Sequence, residues 1–264
     1  MHRLGFRTAG FHEWPIGQAI AELGRLGYDG VEICLEHGDC RPEELTPADA
    51  ERLARLCFDA GLEVASVSYH ADTEPLGPRR ENTMRAVDLV RPFGAEVLII
   101  NGRRCEARRE GEASADLGRL LEALLPRAEA LGVRIAVEPE PGLAVGSSEE
   151  MRKLIDRVGS PRVGVNLDVG HAFLTDADVC ESVRLLGPAI LHTHVEGMPA
   201  REHKHLLPGE GDLDLGAVVR ALDEVQYEGY LTVDLFAIAD DPLGWAERAL
   251  AAMKAILARE GELQ

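Results

Sequence analysis

Four short segments, residues 133–138, 162–168, 189–194 and 230–236, each carry near their ends a side chain able to bind a metal or accept a proton: Glu138, Asp168, His194 and Asp234. Apolar and polar residues alternate within each. Val133, Ile135 and Val137 alternate with Ala136 and Glu138, and Val163, Val165 and Leu167 with Asn166 and Asp168. Likewise Ala189, Leu191 and Thr193 alternate with His192 and His194, and Leu231, Val233 and Leu235 with Thr232 and Asp234. Successive side chains of a strand point to opposite faces, so each segment, read as a strand, turns its apolar parity one way and its ligand-type residue the other. Three carboxylates and an imidazole gathered at one place repel and disturb one another's protonation unless a cation compensates them. An oxygen-rich set with one nitrogen suits an octahedral divalent ion with positions open for substrate better than a closed tetrahedral zinc. We therefore expect Glu138, Asp168, His194 and Asp234 to be metal ligands, with Mn²⁺ first and Co²⁺, Mg²⁺ or Zn²⁺ as alternatives.

Positioning four such residues requires four adjacent strands, and the chain offers eight. Apolar or β-branched runs lie near residues 4–9, 30–35, 62–69, 96–101, 133–138, 162–168, 189–194 and 230–236. Amphipathic stretches follow each, near 16–26, 46–60, 79–92, 114–131, 147–158, 176–186, 213–225 and 242–260, several beginning at Asp, Ser or Thr as helix N-caps do. A faint repeat, Leu26 to Glu32 against Val225 to Leu231, marks a helix end turning into a strand in both places. With no linker or low-complexity tract, eight βα units predict one α/β domain over residues 1–264, a single (β/α)8 TIM barrel with its reactive groups at the C-terminal ends of the strands.

The charge balance narrows the partners. Twenty-eight Lys and Arg against 46 Asp and Glu give a net charge of −18. Nucleic acid and anionic membrane surfaces attract clustered Lys and Arg, so neither is expected as a partner. The five cysteines, Cys34, Cys40, Cys57, Cys105 and Cys180, are odd in number and form no C-x-x-C pair, which fits a reducing cytoplasm. No apolar h-region opens the chain, and no run reaches the roughly 18 apolar residues of a membrane span.

The quoted segments resemble the xylose isomerase-like barrels of the sugar phosphate isomerase/epimerase group, ketose 3-epimerases included. The likeness spans nearly the whole chain. It rests on Val137-Glu138-Pro139-Glu140-Pro141-Gly142, Leu167-Asp168-Val169-Gly170-His171, His192-Thr193-His194, Glu202-His203-Lys204-His205 with Pro208-Gly209-Glu210-Gly211, and Gly229 to Leu235. The resemblance implies a divalent metal held by the four residues above, with Glu138 and Asp234 exchanging protons with a sugar. Two departures stand out. Relatives usually carry Glu where Asp234 stands, and Glu196-Gly197-Met198-Pro199 replaces the Glu-x-Asn-Arg stretch of ketose 3-epimerases. The family also implies a homo-oligomer.

Around this set, His171, Glu32, His70, Asn101 and His205 are expected at the pocket as substrate contacts, each with a structural alternative: a satisfied loop histidine at His171, a buried hydrogen-bonded Glu32, loop caps at His70 and Asn101, a solvated loop at His205. His192 is expected one layer below His194 as an interior histidine. The acidic setting after strand eight, Asp240 and Asp241, favours a neutral sugar or polyol, although Arg201, Lys204 or the Arg103-Arg104 pair can hold an anion. The expected reaction is proton transfer α to a carbonyl through an enediolate, giving an isomer or epimer. The alternatives are a sugar or inosose dehydratase, a zinc endonuclease of the abasic-site type, whose Asp-x-x-His pair Asp168 and His171 reproduce, and a non-catalytic sugar-binding barrel.

Overall fold

Eight parallel strands close into a barrel in sequence order: β1 (Arg3–Arg7), β2 (Gly30–Cys34), β3 (Glu63–Tyr69), β4 (Val97–Asn101), β5 (Arg134–Glu138), β6 (Val163–Asp168), β7 (Ile190–Val195) and β8 (Tyr230–Val233), with β8 pairing back to β1. The computed structural model describes residues 2–104, 110–236 and 240–263, and Cys105 lies outside them. Helices α1 (Ile16–Leu26), α2 (Pro47–Asp59), α3 (Leu76–Val90), α4 (Glu110–Leu131), α5 (Ser148–Val158), α6 (Val169–Thr175), α7 (Val179–Leu186), α8 (Leu215–Glu224) and α9 (Pro242–Leu263) surround it. The chain is thus the (β/α)8 barrel expected. Cys34, Cys40, Cys57 and Cys180 are free thiols, and no described helix is long and apolar enough to cross a membrane.

The helices form where periodicity and caps coincide. In α1 Ile16, Ala19, Ile20 and Leu23 are buried, the i, i+3, i+4, i+7 stripe of an amphipathic helix, and Gly27 ends it at φ 89°. Thr46 and Asp49 form a reciprocal capping box on α2, and Ser147 and Asp214 cap α5 and α8. One helix was not expected. The Asp168 carboxylate accepts from the His171 backbone N–H at 2.8 Å, so a side chain of the site starts α6 directly at the end of β6.

The main apolar core lies between the strands and the helices, built from such residues as Phe6, Ile33, Val67, Leu98, Val137 and Leu167. Inside the barrel a small separate cluster of Val97, Ile99 and Ala136 forms an apolar patch. Leu191 joins it, which corrects its expected outward orientation. The cause is an irregularity in register: Val165 pairs with Ile190 but Asn166 with His192, so β7 carries one extra residue and its alternation restarts above it. Gly164 makes room, because a Cβ there would stand 2.6 Å from Leu191 Cγ. A second irregularity, Val31 to Val64 but Glu32 to Ser66, brings Ser66 opposite Glu32. Toward the C-terminal mouth the interior becomes polar: Arg7, Glu32, Ser66, Ser68, Glu138, Asn166, Asp168, His192, His194, Thr232 and Asp234 are all buried. Barrel interiors are ordinarily filled by branched apolar side chains, so this concentration of polar groups marks the site.

Candidate metal centre

His194, fully buried at the end of β7, gathers three carboxylates around one ring nitrogen. Its Nδ1 lies 3.3 Å from Glu138 Oε2, 3.7 Å from Asp234 Oδ2 and 3.8 Å from Asp168 Oδ2. Adjacent vertices of an octahedron with bonds of about 2.1 Å are about 3 Å apart, so modest closure brings these atoms onto a common ion. Glu138, Asp168 and His194 already offer ligand atoms within 4.8 Å of one another. Asp168 Oδ2 and Asp234 Oδ1 are buried without a hydrogen-bond partner among the described residues, and buried acceptors of this kind call for a cation or donor. The donor set fits a hard divalent ion. Although β8 ends at Val233, Asp234 still reaches this position from the following residue.

The opposite edge of the same imidazole is held from below. His194 Nε2 lies 3.0 Å from Glu32 Oε2, which also accepts from Ser66 Oγ at 2.8 Å and stands 3.4 Å from His192 Nε2. A carboxylate only accepts when ionised, so this contact places a proton on Nε2 and directs the Nδ1 lone pair at the carboxylates once the ring is neutral. Glu32, expected either at the substrate or as a buried hydrogen-bonded residue, is completely buried beneath His194. Exchanging it for Gln should weaken divalent-metal affinity about 10- to 100-fold, the usual cost of losing such a support, as calorimetric titration of the metal-free protein would record.

Arg7, at the end of β1, is the internal cation of the site. Its Nη1 donates to Asp234 Oδ2 at 3.0 Å, its Nε stands 3.0 Å from Glu32 Oε1, and its Nη2 lies 2.6 Å from His70 Nδ1. Because guanidinium only donates, His70 Nδ1 is the acceptor and His70 Nε2 donates to Glu138 Oε2 at 2.9 Å. Asn166 Nδ2 donates to the same oxygen at 2.7 Å. His70 thus links Arg7 to Glu138 across the mouth.

Protonation follows these contacts. Burial disfavours the His194 imidazolium, yet Glu32 and Glu138 hold its pKa well above the ordinary value in the metal-free protein. Burial likewise disfavours the Glu138 carboxylate, but His70 and His194 keep its pKa well below the usual range. Asp234 is lowered against burial by Arg7 and then His194. A metal bound at His194 would therefore expel a proton from it. Affinity should fall as pH falls, and the rise with pH should continue above the ordinary imidazole range because the proton is held more tightly. A Mn²⁺ affinity that stayed flat between about pH 6 and pH 9 would contradict that proton release.

Glu196 behaves oppositely. It is fully buried, and burial together with Asp168 and Asp234 raises its pKa well above the carboxylate range, with a hydrogen bond to Asp168 favouring its protonated form. The remaining expected residues border this centre. Asn101 is buried at the end of β4, in register with Glu138, with its Oδ1 unpartnered. His171, in the first turn of α6, places Nδ1 3.2 Å from the Pro139 carbonyl and Nε2 3.0 Å from His203 Nε2. His205 Nδ1 lies 2.8 Å from the Asp234 carbonyl. Sequence reasoning passed over Arg7, Glu196 and His203 and treated Asn166 only as an inward residue. The signal was present for two of them. Gly5 and Arg7 hold the parity opposite Leu4 and Phe6, and Glu196 continues the parity of His192 and His194.

Comparison with known proteins agrees with this architecture. A fructoselysine 3-epimerase of Shigella flexneri is 25% identical over 273 residues, covering 97% of this chain and 98% of that protein. An inosose dehydratase of Clostridium perfringens is 24% identical over 267 residues, covering 88% of this chain and 86% of that protein. The crystal structure of the IOLI protein with a binding zinc atom superposes with a TM-score of 0.82 at 20% identity, covering 98% of this chain and 99% of that one. The family model described as xylose isomerase-like TIM barrel matches residues 20–256, and the chain belongs to that family.

Proposed function

We propose that the protein is a divalent-metal-dependent sugar isomerase or epimerase that moves a proton α to a carbonyl. The reading rests on the convergence of Glu138, Asp168 and Asp234 on His194 Nδ1 at the barrel mouth. When bound, the cation supplies Lewis-acid polarisation of the carbonyl, worth several kcal/mol. The residues of the chain supply the proton chemistry. Glu138 takes the α-proton: the C–H bond breaks, its electron pair forms the C=C bond of an enediolate, and the carbonyl π pair moves onto oxygen. Glu138 Oε2 is occupied by His70 and Asn166, which leaves Oε1 as the accepting atom. Asp234 is the second exchanging carboxylate. Its Oδ2 is tied to Arg7 and its Oδ1 is unpartnered, so Oδ1 handles the proton on the other face. Return of a proton to that face gives the epimer; its return to the neighbouring carbon, with the α-hydroxyl proton passing to the former carbonyl oxygen, gives the isomer. His70, Asn101, His171 and His205 border the space where a sugar or polyol would lie.

Glu196 favours a second reading, a dehydratase. Expulsion of a β-hydroxyl from the same enediolate as water needs a proton on the leaving oxygen, and Glu196 is the buried carboxyl whose pKa is raised beside Asp168 and Asp234. The first step is common to both.

The test is an isotope screen. Metal-stripped protein reloaded with Mn²⁺, Co²⁺ or Mg²⁺ is offered ketoses, inososes and their phosphates in deuterated water. Deuterium appearing at the α-carbon without loss of water supports isomerisation or epimerisation, loss of water with deuterium supports the lyase, and no metal-dependent exchange with any of them overturns both.

A further inference from the structure

Between α3 and α4 lies a cavity of about 170 Å³ that four arginines line: Arg79 and Arg80 of α3, Arg103 after β4 and Arg119 of α4. Asp116 is the one lining carboxylate among the described residues, so in a chain of net charge −18 the sign of the charge is reversed here. Asp116 answers two of the four. Arg103 Nη1 donates to its Oδ2 at 3.3 Å and Arg119 Nη2 to its Oδ1, whereas Arg79 and Arg80 have no ion-pair partner among the described residues. We infer that this cavity is a binding site for the phosphoryl or carboxylate group of a small molecule, held by the guanidinium groups of Arg79, Arg80 and Arg119. None of its lining residues belongs to the set around His194, so the inference stands apart from the reading above.

Arg79 carries the argument. It is buried, its Nη2 donates to the Asn101 carbonyl, and its Nε has no acceptor among the described residues. A buried cation with an idle N–H is costly, because the water it gave up is not replaced by an acceptor or a countercharge. Burial and then the Arg103 charge push its pKa down, against the smaller opposing pull of Asp72, Tyr69 and Glu74. That is the direction expected of a cation with too little negative charge around it. An oxyanion in the cavity supplies both the acceptor and the charge.

The class of ligand follows from the donors. Guanidinium has no acceptor, and its planar fork matches two oxygens of a phosphoryl or carboxylate group. A neutral sugar would leave the charge unanswered. The first turn of α3 acts in the same sense: it has neither a side-chain cap nor an acidic residue, so its dipole favours an anion beside Leu76, which lines the cavity. Leu117 and Leu120 continue an apolar wall from Leu76, which suits the carbon part of an organic anion. The Asn101 carbonyl holds the Arg79 guanidinium in place before any ligand arrives, so less freedom is lost on binding.

Calorimetric titration of the metal-free full-length chain at low salt decides it, with inorganic phosphate and hexanoate as the probes and no metal ion to draw either anion to the other centre. Saturable binding of at least one probe is expected. Tighter binding of phosphate assigns a phosphoryl ligand, and tighter binding of hexanoate a carboxylate with an apolar body. Arg80 and Arg119 are exposed, so the double variant Arg80→Gln/Arg119→Gln should fold like the wild type. Its affinity should fall about 10-fold or more, the effect of losing charge-assisted hydrogen bonds. The control Arg25→Gln/Arg55→Gln removes the same charge from exposed positions on α1 and α2 and should leave the affinity unchanged. The inference is overturned if neither probe saturates, if the cavity variant binds as tightly as the wild type, or if both double variants weaken binding equally, since the last would mark attraction to charge in general.

Discussion

Glu138→Gln should lower the rate of solvent-deuterium incorporation into substrate about 10²- to 10⁴-fold, the contribution of a positioned general base. The exchange conserves volume, and a glutamine carbonyl oxygen still accepts from His70 Nε2 and Asn166 Nδ2, which now meet Glu138 Oε2 at 2.9 and 2.7 Å. What disappears is the second oxygen able to hold a proton, together with one negative charge facing His194. The two effects separate experimentally. Saturating metal restores whatever part of the loss comes from weaker metal affinity, and the residue at saturation belongs to proton transfer. Exchange at the wild-type rate under saturating metal would remove Glu138 as the base and leave Asp234 Oδ1. Asp234 is the weaker candidate because its side chain is one methylene shorter than that of Glu138 and its partner oxygen is held by Arg7 at 3.0 Å.

The barrel was legible because its signals are local and repeated. Eight apolar runs alternating with capped amphipathic stretches admit few other folds, and parity within a strand separates helix-facing from interior side chains. That rule places Glu138, Asp168 and His194 together because β5, β6 and upper β7 keep their alternation to the end. It failed at Leu191, where an extra residue in β7 turns the side chain inward, and nothing in the local pattern marks such a register shift. It gave no warning of α6, a short helix started by one carboxylate cap rather than by periodicity. Arg7 illustrates a different limit. Parity puts it inside, yet that it compensates Glu32 and Asp234 depends on β1 standing between β2 and β8, a property of the closed barrel rather than of any one strand. Similarly, that Glu32 supports the His194 ring depends on β2 delivering it beneath His194, on the opposite side of the ring to Glu138.

Arg7→Met should destabilise the metal-free protein by about 3–5 kcal/mol, the range for removing one partner of a buried ion pair. The side chain is only 10% exposed, and the substitution preserves most of its apolar stem while leaving Glu32 and Asp234 without their permanent cation. Two features distinguish this effect from simple loss of packing. First, the penalty should depend on pH. Arg7 keeps the Asp234 pKa below its unfolded value, so the stability it supplies is present above the unfolded carboxylate pKa of about 3.9 and is lost as pH falls through the folded one. The difference between variant and wild type should therefore narrow on acidification. Second, a divalent ion brings positive charge to the same carboxylate, so the rise in unfolding free energy on adding Mn²⁺ should be larger in the variant than in the wild type. Binding stabilises by about 2.7 kcal/mol at a ligand concentration of 100 Kd, enough to recover a substantial part of the deficit. Equal urea midpoints for variant and wild type without metal would mean that Arg7 compensates nothing, and equal metal-induced gains would mean that it and the ion do not share Asp234. Lysine should not rescue the variant, since one ammonium cannot reach Glu32, Asp234 and His70 in the three directions that the guanidinium spans.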